Sequence, residues 1–433
     1  MVSPTHMIRT KVTGRLALIF IIGQFFPLAA AELRIWTSAA GTTIEAKFQK
    51  IEDEEVHLLT SESKVVQVKI EDLSLADRHH LVEYAEADKK YLTEIELTIP
   101  EEDIRFDKKT LKDLDEKMGF GDRTELEFDL LESEHFLIAT TGRFRAEPLA
   151  EMAERLWHGM AFQHMNFRKD WGDKKMVVIV TTDDEVYSAL GEWYAKWLLD
   201  NITDEDQARA ASARMSNLWM QIAGTSIRLP EDQQKKFNAF DSAKIFRIRD
   251  DNDNSYKKVF GPFPTHGLAG MLLTHQMGGV SEISPTGYFA ITTGHAYFKE
   301  IQLAGKSETQ LLDASAYEGD NEFTSASGFK DGRSWAKTLR KLVRRGDVEP
   351  NLEKLLSYTS ADLTPEQLVL IYSFAFYMES DSARLAAFAD MVRRIESNNQ
   401  VPAPIEMAKI FGFETVEEFQ NDWIEFIKST NFK

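Results

Sequence analysis

Lys175-Met176-Val177-Val178-Ile179-Val180-Thr181 is the stretch on which the fold turns. Its centre is apolar at every position, with no polar residue at alternate places, so both faces of a strand built from it must be covered. That requires other elements on each side of a sheet, and the neighbouring sequence supplies them. Upstream, His135 to Thr141 reads as a strand and Ala146 to Phe167 as an amphipathic helix with Leu149, Met152, Leu156 and Met160 on one face. Downstream, helical patterns run from Glu185 to Leu199 and from Asp204 to Ile222. Two strand-like runs, Lys244 to Arg249 and Tyr256 to Phe260, flank Asp250-Asp251-Asn252-Asp253-Asn254, whose turn chemistry predicts a hairpin. Asp250, Asn252 and Asn254 share the spacing of a calcium loop, but Ser255 stands where such a loop needs glycine and Gly261 where it needs a bidentate Glu. From about residue 263 the chain reads as mainly helical. Thr364 is an N-cap before Pro365, Pro404 opens a later helix, and Leu368, Leu370, Ile371, Phe374 and Tyr377 form a core stripe.

The N-terminus has a different character. Arg9, Lys11 and Arg15 precede an apolar run from Leu16 to Phe26, then Pro27 and Leu28-Ala29-Ala30-Ala31-Glu32. A basic start, a short apolar centre and small residues before a cleavage point predict a signal peptide over residues 1–31, and hence a secreted or periplasmic protein. The apolar run is about half the roughly 20 residues a spanning helix needs, so no membrane span is expected after cleavage. The chain carries 51 Lys+Arg against 70 Asp+Glu, a net charge of −19, which repels phosphate backbones and argues against nucleic acid as a partner. With 0 Cys, disulfides, thiolate catalysis and Cys-ligated zinc are excluded.

Residues 32–85 alternate apolar and polar positions in short runs: Ile44, Ala46 and Phe48; Val56 and Leu58; Val66, Val68 and Ile70. Arg34-x-Trp36-Thr37, Gly41, Ala46, Val56-x-Leu58, Val66-x-Val68 and Leu73-Ser74-x-x-Asp77 resemble the Sla-homology domain. Glu54 and Ser63 stand where that pattern usually has glycine. The resemblance implies a small SH3-like β barrel that binds a peptide or protein ligand of unidentified sequence, with Trp36 either a core residue or a ligand-stacking one. Residues 86–132 are dense in charge and read as a connector.

Two helices carry the remaining argument: His266-Gly267-Leu268-Ala269-Gly270-Met271-Leu272-Leu273, and Tyr288 to Glu300 with Thr293-Gly294-His295-Ala296-Tyr297 inside it. Placed after a strand layer and before a helical array, they resemble the two motif helices of peptidase-MA-like gluzincins over residues 133–433. The family's motifs read His-Glu-x-x-His and Trp-x-x-Glu-Gly-x-Ala-x-Tyr. By that resemblance His266 takes the first ligand position, Gly267 the catalytic Glu, Gly270 the second His and Thr293 the third ligand. Leu268, Leu272, Leu273, Gly294, Ala296 and Tyr297 keep the scaffold. One imidazole alone does not hold zinc, and a glycine is neither a ligand nor a general base. His275 and His295 are the remaining candidates for a displaced metal site with His266. The spacing opposes it, because nine residues along a helix put His266 and His275 about 13 Å apart on opposite faces.

The expected fold class is therefore α+β: a small N-terminal SH3-like barrel, then a gluzincin-like domain with a mixed sheet layer and a mainly helical C-terminal part. The expected function is that of an exported, catalytically silent binding protein without a cofactor. The alternatives are an active zinc metallopeptidase with displaced ligands and a structural cell-envelope component.

Overall fold

The computed structural model describes residues 33–38, 42–85, 87, 106–142, 144–163, 171–248, 261–278, 285–312, 316, 322–325, 328–329, 332–361 and 363–432. The expected signal segment 1–31, most of the first half of the expected connector, the acidic turn at 250–254 and the run 256–260 lie outside them.

The chain is α+β. An N-terminal antiparallel sheet in the order β1-β2-β3-β4 is built from Arg34–Thr37, Thr43–Glu52, Glu55–Thr60 and Val65–Lys69. Alternation along these strands buries Trp36, Ala46, Val56 and Leu58 together with Ile70, Leu73 and Leu81. Glu54 and Ser63 sit at tight turns with φ of 66° and 61°, the left-handed region that glycine adopts without penalty. Helix α1 (Leu75–Tyr84) follows, N-capped by Ser74, whose hydroxyl accepts from the Asp77 amide.

The six-stranded sheet is mixed, in the order β5-β6-β7-β8-β10-β9. Strands β5 (Lys112–Gly119), β6 (Glu127–Glu132) and β7 (Phe136–Thr140) pair with one another antiparallel in that order. β7, β8 (Lys175–Thr181) and β10 (Ala239–Arg247) are parallel, and β9 (Gly224–Arg228) closes the far edge antiparallel to β10. Residues 112–132, read as connector, thus supply two strands. Their charge is that of strands with a polar outer row, as Phe128 and Leu130 alternate with exposed Glu127 and Asp129. The fully apolar run is central, as its composition requires. Met176, Val178 and Val180 face one core with α2 (Ala146–Gln163), and Val177 and Ile179 face a second with α3 (Asp184–Asn201). Helix α4 (Glu205–Leu218) packs on α3, and α5 (Glu231–Lys236) leads into β10. β10 pairs with β8 on one side and β9 on the other, and the second strand of the expected hairpin, 256–260, lies outside the described residues.

The C-terminal part is helical: α6 (Pro262–Gln276), α7 (Pro285–Ala304), α8 (Gly332–Arg345), α9 (Leu352–Ser357), α10 (Pro365–Met378), α11 (Ser382–Asn398), α12 (Pro404–Ile410) and α13 (Val416–Lys428). Thr364 caps α10 in a capping box with Gln367. At Gly294 a Cβ would lie 2.7 Å from the Ile371 carbonyl, so glycine is what lets α7 approach α10.

The N-terminal unit is packed against this part rather than held by the connector alone. Helix α1 contacts α11 and α12. Asp77 joins the Thr37 amide at 2.7 Å, the Arg34 guanidinium at 2.5 Å and the Ser74 hydroxyl at 3.0 Å. Across the interface Asp390 of α11 faces Asp77 and Arg78 of α1 and lies 3.7 Å from Arg394 of its own helix. Burial pushes the Asp390 carboxyl up to about 7, against the pull of Arg394.

Candidate functional site

Helices α6 and α7 lie side by side in opposite directions, in the register His266 to Glu300, Gly270 to Ala296 and Thr274 to Tyr288. The residue level with His266 is therefore Glu300. Thr293, expected at the third ligand position, is buried about two turns earlier. Glu300 does pair with His266, through Nδ1 at 3.1 Å, but its carboxylate is saturated by other donors. Oε2 accepts from the Ser307 hydroxyl, and Oε1 from the amides of Glu308 and Thr309 and the Thr309 hydroxyl. At Gly267, a Cβ would lie 2.6 Å from the ring of Phe246, a buried residue of β10. The place where a catalytic carboxylate would project is filled by that ring. Gly270 is different, with nothing nearer than the Ala296 Cβ at 3.7 Å.

The other two imidazoles have partners elsewhere. His295 is fully buried and pairs with Glu379 at 2.7 Å, which also binds Lys299 at 2.8 Å. His275 packs edge-on against Trp171 at 4.6 Å and against Phe240 at 4.3 Å. Among the described residues His266, His275 and His295 do not bring their donor atoms together. Trp36 is fully buried, and its indole N–H donates to the Ala46 carbonyl at 3.0 Å, so it is a core residue with no face for a ligand.

The group that does converge lies elsewhere. Where β6 turns into β7, Ser133, Glu134 and His135 meet α2, which presents Glu154, Trp157 and His158. Glu154 and His158 stand four residues apart and so share a helix face. The buried Glu154 carboxylate holds His135 twice, by Nδ1 at 2.7 Å and by the backbone amide at 2.8 Å, and accepts from the Ser133 hydroxyl at 2.6 Å. Burial raises the Glu154 pKa, but these hydrogen bonds from His135 and Ser133 outweigh it, and the net shift is downward. Trp157 stacks on the His135 ring at 3.5 Å and 12°. Donor atoms of Glu134, His135 and His158 all lie within 4.8 Å of one another. Burial lowers the His158 pKa, which favours the neutral imidazole. A cavity of about 120 Å³ opens beside them, lined by Phe106, Asp107, Thr110, Glu134, Glu154, Arg155 and His158. Two imidazoles and a carboxylate at this separation can chelate a cation; the sequence signal for them was only Glu154-x-x-x-His158 on a helix and a Glu-His pair before an apolar strand.

No protein-family model, no curated protein and no solved structure matches this chain significantly. The functional reading therefore rests on the residues and their geometry.

Proposed function

We propose that this is an exported protein that acts by binding a protein or peptide ligand, and that its gluzincin-like helices are not a peptidase centre. The observation that carries the second half is the packing at the motif: the Phe246 ring occupies the catalytic-Glu direction at Gly267, and Glu300 has its oxygens filled. Support for an SH3-like closure of the N-terminal sheet comes from the segment after the 3-10 turn at Ile70–Asp72. There Leu73 bridges to Ser38, and the Ser74 amide donates to the Thr37 carbonyl at 2.7 Å. In this reading the Leu73-Ser74-x-x-Asp77 signature is the device that closes the first strand onto α1. Ile35 and Val65, exposed on the two outer strands, are the apolar side chains available to a ligand. Export is supported by the order of basic, apolar and small residues before Glu32.

The test is to pass a broad peptide library over the immobilised full chain and to read both retention and cleavage by mass spectrometry. A retained, uncleaved subset that is lost in Ile35→Asp is the expected result. Cleavage that disappears in His266→Ala restores the peptidase reading, and absence of any retained peptide favours a structural envelope component.

A further inference from the structure

We propose that Glu134, His135 and His158 hold one divalent transition-metal ion at the mouth of the cavity between the β6–β7 turn and α2. The proposal is independent of the peptide-binding reading and uses none of the residues singled out by the motif helices.

The first argument is convergence: three donors from two rigid elements lie within 4.8 Å of one another, so a small closure of side chains brings them to the roughly 2.0–2.2 Å at which imidazole and carboxylate bind zinc. The second is orientation. The Nδ1–H of His135 donates to the Glu154 carboxylate at 2.7 Å, which fixes the tautomer and leaves Nε2 as the metal-facing lone pair, 4.0 Å from the Glu134 carboxylate. A carboxylate behind a ligating His is the arrangement that raises ligand basicity and sets the ring plane in metal sites. Trp157, stacked on the same ring, removes its remaining rotational freedom. A third argument concerns the ion. Two imidazoles and one carboxylate suit zinc-like ions, whereas magnesium and calcium prefer oxygen ligands and waters.

Three protein ligands leave a coordination position open, and two of them, Glu134 and His158, line the cavity. Catalytic and substrate-binding zinc sites have this ligand count, in contrast to the four protein ligands of structural ones. The position is suited to water or to the carboxylate of a small ligand entering past Arg155.

The test uses the full chain, stripped with chelator and titrated with ZnCl2 by calorimetry, with MgCl2 as the comparison. One equivalent of zinc and no magnesium response are expected. His158→Ala and Glu134→Ala each remove a ligand and are expected to weaken zinc binding by at least about 100-fold. Glu154→Gln, which acts through His135, is expected to weaken it by about 10–100-fold. Cobalt in place of zinc should give visible bands of a low-coordinate site that vanish in His158→Ala. No stoichiometric zinc in the parent protein overturns the proposal. So does zinc binding that survives both His158→Ala and Glu134→Ala, or that is lost in His266→Ala. Glu134 is exposed, so its variant folds even where a change at buried Glu154 does not.

Discussion

Two His–Glu pairs in this molecule look alike as chemical groups and differ in everything that matters for function. In the pair His266–Glu300, the carboxylate also accepts from four other donor atoms in residues 307–309, and the neighbouring motif position is packed under Phe246. In the pair His135–Glu154, the carboxylate accepts from three donor atoms, and its effect is to aim the other imidazole nitrogen at Glu134 and His158 beside a cavity. A saturated carboxylate locks two segments together. One that orients an imidazole toward further donors prepares a site.

The largest effect that tests this contrast is at Glu300. Replacing it with Ala leaves His266, two buried or half-buried amides and two hydroxyls without their common acceptor. A loss of about 3–5 kcal/mol in urea unfolding is expected. A loss below about 1 kcal/mol would mean that the 307–309 segment is not held by this residue, and the two pairs would then no longer differ in kind.

Asp390 lies between these cases, a buried carboxylate with incomplete pairing. The charged groups facing it are Arg394 on its own helix and Asp77 and Arg78 on α1. Its folded pKa of about 7 exceeds the unfolded value, so the folded state binds the extra proton. The group's contribution is then full at low pH and is lost as pH rises towards 7, at up to about 1.4 kcal/mol per pH unit. Asp390→Asn cannot titrate. The stability difference, variant minus parent, should grow in the variant's favour between about pH 5 and 7, as read by urea unfolding across that range. A difference that does not change with pH refutes the assignment.

How much of this was legible beforehand follows from the same physics. The interior strand was readable because Met176 to Val180 allows no exposed face, and the helix starts at Thr364-Pro365 and Pro404 because capping and proline chemistry are local. Strands β5 and β6 were not, since residues such as Lys112-Asp113 and Glu127 place charge on an outer row that composition alone cannot tell from a linker. Both runs singled out as motif helices are helical and lie side by side, and His266 does meet a Glu. The partner is Glu300 rather than the Thr293 position because register is set by how α6 and α7 pack, with Gly270 level with Ala296 and Thr274 with Tyr288, and no local pattern fixes that. The His135 corner was invisible for another reason: its donors are the adjacent Glu134 and His135 and, 23 residues beyond His135, His158, and only folding of α2 over β7 joins them.

Gly267 and Gly270 separate drift from fit. In a helix interior Gly→Ala is favourable by about 1 kcal/mol on propensity alone. At Gly267 the new methyl meets Phe246 at 2.6 Å, and overpacking of about 1–3 kcal/mol opposes that gain. At Gly270 the nearest atom is 3.7 Å away and nothing opposes it. Gly267→Ala should therefore destabilise and Gly270→Ala stabilise, by thermal or urea unfolding. Equal signs would show that the two positions are equivalent and that Phe246 does not define the site.

The smallest effect is expected at His158, and its smallness is informative. The side chain is half-buried and makes edge contacts with His135 at 5.5 Å and Trp157 at 5.0 Å, so His158→Ala in metal-free protein should cost under about 1 kcal/mol. A residue kept for packing would show the same loss with or without metal. One that ligates would not, because an ion that binds only the folded state adds about 2.7 kcal/mol at a free concentration 100 times its dissociation constant. Zinc should thus raise the unfolding midpoint of the parent protein and leave that of His158→Ala where it was. Should zinc stabilise both proteins equally, His158 would be an aromatic spacer, and the two His–Glu pairs would be structural devices of the same sort.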